Sequence, residues 1–147
     1  MKIAECMTRD IEIVAPDQPI REAAQFMLRA DTGIMPVSEG DKLVGLVTDR
    51  DIAVRAVAEG RGPDTAVSEI MSGDVLYCFE DDEVEAVAIK MGEAQVRRMP
   101  VLSREDETLV GIVSLGDISR SEQRAAAGVA LDGITDPGGK HNQSTED

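Results

Sequence analysis

Hydrophobic and polar positions along the chain follow a short order that occurs twice. Residues 11–14 form an apolar-rich stretch stopped by Ala15-Pro16-Asp17 and predict a first strand. Pro19 suits the first turn of a helix, and from Ile20 the apolar residues Ala23, Ala24, Met27 and Leu28 recur at the spacing of one helical face. Gly33 is expected to break the chain near that helix's end. Met35-Pro36-Val37 predicts an edge-type strand, because proline cannot donate to a sheet ladder. A polar turn over residues 38–41 leads to a short buried strand at 43–47. A second helix over 49–59 is closed by Gly60, and Arg61-Gly62-Pro63-Asp64 reads as a linker. The order then returns: strand 75–78, helix 82–94, strands 99–102 and 109–113, and a helix from Leu115 to about Ala126.

The recurrence extends to individual residues. A shift of 64 pairs Glu5 with Glu69, Met7 with Met71, Asp10 with Asp74, Asp17 with Asp81, Ala24 with Ala88, Met27 with Met91 and Ala30 with Ala94. It also lays Met35-Pro36-Val37 on Met99-Pro100-Val101. After a two-residue insertion within 103–108 the shift becomes 66, and Leu43-Val44-Gly45 falls on Leu109-Val110-Gly111, Val47 on Val113 and Asp51-Ile52 on Asp117-Ile118. A duplicated supersecondary unit explains identities in runs of this kind. The reading is an α/β (α+β) chain with one motif over 1–62, a second over 63–121, and a C-terminal extension over 122–147 that is largely disordered, its composition turning to Gly, Asp, Ser, Gln and Lys.

Composition narrows the function. Aromatic residues make up 2% of the 147 residues, so Val, Ile, Leu, Met and Ala must build the core, with Met27 and Met91 as filler. Stacking surfaces for single-stranded nucleic acid need aromatics among basic residues. The net charge of −14 repels phosphate backbones and acidic membranes. No nucleic-acid or membrane partner is expected, and a phosphorylated ligand would need a locally positive pocket. The start of the chain lacks the apolar run of a signal peptide, and no stretch approaches the roughly 20 apolar residues of a membrane span, so a cytoplasmic location is the expectation. Cys6, Cys78 and the single His141 lack metal-ligand spacing, so no metal is expected. No nucleophile elbow or phosphate-cradling glycine loop appears, and the acidic run 80–85 reads as a solvated helix start. The chain is read as no enzyme.

The most informative stretch is Gly45-Leu46-Val47-Thr48-Asp49-Arg50-Asp51, repeated as Gly111-Ile112-Val113-Ser114-Leu115-Gly116-Asp117. A buried strand ends in a hydroxyl residue, and a carboxylate follows three positions later. Two explanations stand side by side. In one, Thr48 or Ser114 caps the helix and the acid completes a capping box, although that motif prefers Glu or Gln and Asp is expected to reach back poorly. In the other, the carboxylate accepts hydrogen bonds from two adjacent sugar hydroxyls, each charge-assisted bond contributing roughly 1.5–3 kcal/mol.

Two copies of a Met-Pro-Val strand and a Gly-x-x-Thr/Ser-x-x-Asp element resemble a CBS pair (Bateman module) over about residues 1–121, of the stand-alone bacterial type to which the hypoxic response proteins belong. The resemblance implies tandem motifs, each strand-helix-strand-strand-helix, packed with pseudo-two-fold symmetry around clefts that take adenosine-containing ligands. It implies Asp51 and Asp117 at ribose, and Thr48, Arg50, Arg97, Arg98 and Ser114 near phosphate. Arg97 and Arg98 match the basic pair that meets phosphate in the gamma subunits of AMP-activated protein kinase, whereas the first copy has Gly33 and Ile34 there. The Asp117 cleft is therefore expected to bind phosphate more readily. Walls for adenine are implied at Ile13, Val14, Ile34, Met35, Pro36, Tyr77, Cys78, Met99 and Pro100. The function implied is a regulatory module sensing AMP, ADP or ATP, with NADH or S-adenosylmethionine as other ligands. It is expected to form a homodimer acting on an unknown protein partner. The alternative is a ligand-free interaction or dimerisation module.

Overall fold

The helical period that begins at Ile20 forms α1, Ile20–Ala30, in the computed structural model, which describes residues 1–137. Pro19 stands at its N-cap, and Ile20, Ala23 and Met27 are its buried face. The helix ends on Asp31, whose φ of 52° is left-handed and whose N–H bonds to the Met27 carbonyl. Gly33 is thus not the breaker: the C-cap falls two residues earlier, and the glycine has another task described below.

The protein is α+β and divides into two units. One comprises Glu12–Val75, the other Met1–Ile11 with the described residues from Leu76 onward. In the Glu12–Val75 unit, α1 is followed by β1, Ile34–Glu39, and β2, Lys42–Thr48, an antiparallel hairpin with Pro36 opposite Leu46. Helix α2, Asp49–Asp51, runs on as a π-helical stretch, Ile52–Val57, and a 3-10 turn occupies Val67–Glu69. Met35, Val37 and Val47 close the core with Ile20, Ala23, Met27, Ala56, Val67 and Ile70. The expected strand over 11–14 is reduced to a single parallel bridge between Val14 and Val37.

In the other unit, a 3-10 turn, Ile3–Glu5, precedes β3, Cys78–Phe79, α3, Val84–Ala94, β4, Arg98–Leu102, and β5, Leu109–Ser114. The sheet order is β3-β4-β5, with β3 parallel and β5 antiparallel to β4. Strand β4 is therefore central, so the edge expectation drawn from Pro36 does not carry over to Pro100, its counterpart in the second copy. The proline is tolerated because Ile112, its partner in β5, turns its N–H and C=O away to Thr8 at 2.9 and 2.8 Å. Pro100 thus sits at a non-hydrogen-bonded pair where no donor is missed. Pro36 is accommodated alike, since Leu46 exchanges both bonds with Ser72 at 2.9 Å. Helix α4 covers Leu115–Ser119, and α5 runs over Arg124–Ile134.

The leading segment of each repeat belongs to the unit of the other. Ile3 N–H bonds to the Asp82 carbonyl and Ala4 N–H to the Glu80 carbonyl, both at 2.9 Å. Their counterparts, 64 residues on, are Val67 N–H to Gln18 at 2.8 Å and Ser68 N–H to Pro16 at 2.9 Å. Ile3 and Val67 are both fully buried, each burial contributing about 1.5–3 kcal/mol. The division at residues 62 and 63 read from the repeat is thus not where the chain separates into units.

Two further expectations are corrected at the C-terminal end. The helix from Leu115 to about Ala126 is interrupted after Ser119, and the extension 122–147 contains α5 where disorder was expected. Residues 138–147, including His141, lie outside the described residues. Ala126, Ala127, Ala130 and Ile134 of α5 face the core beside α3. The crossing is close at Gly133, where an added Cβ would lie 2.6 Å from the Gly92 Cα. Gln95 Nε2 donates to the Gly133 and Asp136 carbonyls at 3.1 Å and holds the end of the helix. On α1 the counterparts of Ala88 and Gly92 are Ala24 and Leu28, and Leu28 is 83% exposed. Repeat symmetry therefore stops at this helix.

Candidate functional site

Strand β2 carries the chain into Thr48 in extended conformation, and the turn that follows brings Asp51 back beneath it. Asp51 N–H donates to Thr48 Oγ1 at 3.0 Å, and Thr48 N–H donates to Asp51 Oδ2 at 2.9 Å. The second copy repeats this: Asp117 N–H donates to Ser114 Oγ and Ser114 N–H to Asp117 Oδ2, both at 3.0 Å. Aspartate therefore closes both boxes, against the expectation that it reaches back poorly. The tight first turn puts the carboxylate directly under the cap N–H, so the missing methylene is not needed.

Each acid keeps a second oxygen outside the cap. Asp51 Oδ1 meets Arg55 Nε at 3.7 Å, and Asp117 Oδ1 meets Arg120 Nη2 at 3.0 Å. Thr8 Oγ1 lies 3.5 and 3.4 Å from the two oxygens of Asp117. The side chains of Asp51 and Asp117 are 14% and 10% exposed, while those arginines are 53% and 73% exposed. By the shift of 66, Arg55 corresponds to Ser121 and Arg120 to Val54. The two guanidiniums reach the same carboxylate oxygen from different sequence positions. Ion pairs this exposed contribute about 0–1 kcal/mol, so either arginine can move aside for a ligand. Arg55 also donates to the Ile70 and Met71 carbonyls at 3.4 and 3.3 Å.

The other phosphate candidates sit close by in the chain. Arg98 pairs across the sheet with Ser114, and the Arg97 carbonyl accepts from Leu115 N–H at 2.8 Å. Arg97, Arg98 and Arg50 all have exposed side chains. The adenine candidates divide. Val14, Met35, Cys78 and Met99 point into the hydrophobic cores at 0–1% exposure, since alternation along the strands turns these side chains inward. Pro36 and Pro100 are buried on the opposite strand face, Ile34 and Tyr77 are half-buried, and Ile13 is exposed. Tyr77 stands edge-on to Phe79 with ring centroids 5.5 Å apart.

Sequence reasoning missed the residues that seat the motif from behind. A Cβ on Gly111 would lie 2.6 Å from the Thr8 carbonyl and 3.1 Å from Met7 Sδ. On Gly45 it would lie 2.9 Å from the Ser72 carbonyl and 2.6 Å from Met71 Sδ. The motif glycine is thus required by the exchanged segment. The Met7/Met71 identity was its visible trace.

Both cysteines are free thiols. Burial, chiefly, pushes the Cys78 thiol up to about 12 and raises that of Cys6 as well. A thiol protonated in the fold but ionised in the unfolded chain stabilises the fold below the unfolded value and loses that contribution as pH rises. For Cys78 the loss is expected from about pH 9 toward 12, read by urea melts at stepped pH against Cys78→Ser. In native protein Cys6 is expected to react with a thiol reagent well before Cys78.

The geometry defines a class: a tandem-repeat α+β module in which each copy presents a hydroxyl-capped turn bearing one partly buried carboxylate. The CBS domain model matches residues 3–57 and 67–123, and the chain belongs to that family. It is 38% identical over 134 residues to the CBS domain-containing protein YhcV of Bacillus subtilis, covering 90% of this chain and 94% of the relative. It is 35% identical over 118 residues to Hypoxic response protein 1 of Mycobacterium tuberculosis, covering 79% and 81%. The crystal structure of Hypoxic Response Protein I with two coordinated zinc ions superposes with a TM-score of 0.75 at 33% identity over 82% of this chain and 98% of that one. The CBS pair of protein MJ0100, in complex with 5′-methylthioadenosine and S-adenosyl-L-methionine, gives 0.70 at 32% identity over 82% and 94%. Among the described residues no three His, Cys, Asp or Glu side chains gather to hold a metal ion. Nor is any described helix long and apolar enough to cross a membrane.

Proposed function

We propose that this chain is a regulatory module that binds an adenosine-containing ligand through Asp51 and Asp117 and signals occupancy to a protein partner. One observation carries the reading. In both copies the capping box holds the carboxylate rigidly by one oxygen and leaves the other facing an exposed, displaceable guanidinium. An acceptor fixed in this way needs little reorganisation to receive a vicinal diol. The MJ0100 pair, complexed with two adenosyl ligands at 32% identity, supports the same ligand class. Within it, AMP or ATP fits the Asp117 site, where Arg97, Arg98 and Arg120 lie near Ser114; Thr48 and Arg50 flank Asp51. Ile34, Tyr77 and the strand prolines are the remaining candidates to meet the base. The reading assigns no reaction, and it takes the protein as a cytoplasmic homodimer.

The test is calorimetric titration of the full chain with AMP, ATP, NADH and S-adenosylmethionine, with mass spectrometry of small molecules released from freshly purified protein. Micromolar binding of at least one ligand is expected. The caps themselves favour a second reading, a ligand-free interaction module, because they give both acids a structural task. A flat response to all four compounds would select it.

A further inference from the structure

We infer that the two carboxylate sites select ligands of different charge: the Asp51 site takes an adenosine whose 5′ substituent is uncharged or cationic, a thioether or sulfonium nucleoside, and leaves phosphate-bearing adenosines to the Asp117 site. The inference rests on the ribose-binding role proposed above.

The backbone framework of the two sites matches closely. Asp49 N–H bonds to the Gly33 carbonyl at 2.9 Å, and at the corresponding positions Leu115 N–H bonds to the Arg97 carbonyl at 2.8 Å. The side chains on that shared framework have exchanged polarity. Beside Asp117 the pair is Leu115 and Arg97, an apolar group and a cation. Beside Asp51 the pair is Asp49 and Gly33, and the Asp49 carboxylate fills the space the glycine leaves: a Cβ on Gly33 would lie 2.6 Å from Asp49 Oδ2. Arg50 N–H donates to Asp49 Oδ1 at 2.8 Å and fixes the acid there. No cation can therefore occupy position 33 without displacing a carboxylate.

Beside Asp51 the charged residues are Arg55, which meets its Oδ1 at 3.7 Å, and the adjoining Asp49 and Arg50, so acidic and basic positions balance two to two. Arg55 is in addition engaged by the Ile70 and Met71 carbonyls. Beside Asp117 the charged residues on that framework are Arg120, which pairs with its Oδ1 at 3.0 Å, and Arg97 and Arg98, whose backbones border Leu115 and Ser114, so one carboxylate is set among three cationic positions. Against a chain charge of −14, a phosphate gains local compensation at the second site and meets a fixed carboxylate at the first. A sulfonium reverses that balance, and a thioether is indifferent to it.

The experiment uses the full chain with Asp117→Asn or Asp51→Asn, each weakening one site, and three probes sharing the adenosine group: 5′-methylthioadenosine, S-adenosylmethionine and AMP. With Asp117→Asn, the two sulfur nucleosides are expected to bind at least tenfold tighter than AMP. With Asp51→Asn, AMP is expected to bind at least as tightly as either. Adding Asp49→Leu, or the isosteric Asp49→Asn, to Asp117→Asn should raise AMP affinity at least tenfold and leave 5′-methylthioadenosine within threefold. The same ligand order at both sites, or no response to either Asp49 change, overturns the inference and leaves the ribose role standing. Absence of binding by all three probes to the unmutated chain overturns both.

Discussion

Replacing Asp117 by asparagine is expected to leave the fold standing and to weaken adenosine-ligand binding at that site roughly ten- to hundredfold. The two oxygens of the carboxylate have separable tasks. Oδ2 accepts the Ser114 N–H at 3.0 Å, and an asparagine carbonyl of the same length accepts it as well. The reciprocal bond, Asp117 N–H to Ser114 Oγ, is made by backbone and survives. What disappears is the negative charge that strengthens hydrogen bonds from ribose hydroxyls, about 1.5–3 kcal/mol at 1.4 kcal/mol per tenfold. Ser114→Ala makes the opposite separation. It removes the cap acceptor, at a cost of about 1 kcal/mol, and keeps the carboxylate charge, so the melting temperature falls while affinity falls less than in Asp117→Asn. Titration and thermal denaturation of both variants read the two effects independently. Unchanged affinity in Asp117→Asn would reduce the carboxylate to a helix cap.

Two glycines of α5, Gly128 and Gly133, are expected to respond to alanine with opposite sign. Gly128→Ala meets nothing within 4 Å and removes an exposed helical glycine, which stabilises by about 0.5–1 kcal/mol. Gly133→Ala places a Cβ 2.6 Å from the Gly92 Cα and 2.7 Å from its carbonyl carbon and oxygen. Backbone cannot yield there as a flexible side chain would, so α5 must draw away from α3, and overpacking of this kind costs about 1–3 kcal/mol. Urea or thermal melts should therefore move up for Gly128→Ala and down for Gly133→Ala. A shift of the same sign in both would mean that the helices do not cross at these glycines.

The elements were legible where a local pattern decides them. The period from Ile20 marks where α1 begins, and the strands around Met35 and Met99 fall within a residue or two of their observed bounds. The Thr48/Asp51 and Ser114/Asp117 pairs were singled out from spacing, and both reasons for that spacing were in view. Legibility failed where the partner lies far along the chain. The edge expectation drawn from Pro36 does not extend to Pro100, because nothing local shows that Ile112 bonds to Thr8 and spares the proline. That Val14, Met35, Cys78 and Met99 turn into the cores was not visible either, because which strand face they take depends on the register. Gly33 was read as a helix breaker because its space-filling neighbour, Asp49, is sixteen residues away.

The chain alone determined that the protein is a duplication, what elements each copy contains, and which two acids stand at the helix entrances. Side-chain period, cap chemistry and residue identity act over a few positions, so they can be read in order along a line. Tertiary structure decided the exchange of the leading segments, the need for Gly45 and Gly111, the docking of α5 on α3, and the carboxylate seated over Gly33. Those outcomes depend on which atoms, of backbone and of side chain, crowd the glycines from segments distant in the chain, and steric fit of that kind leaves little local trace.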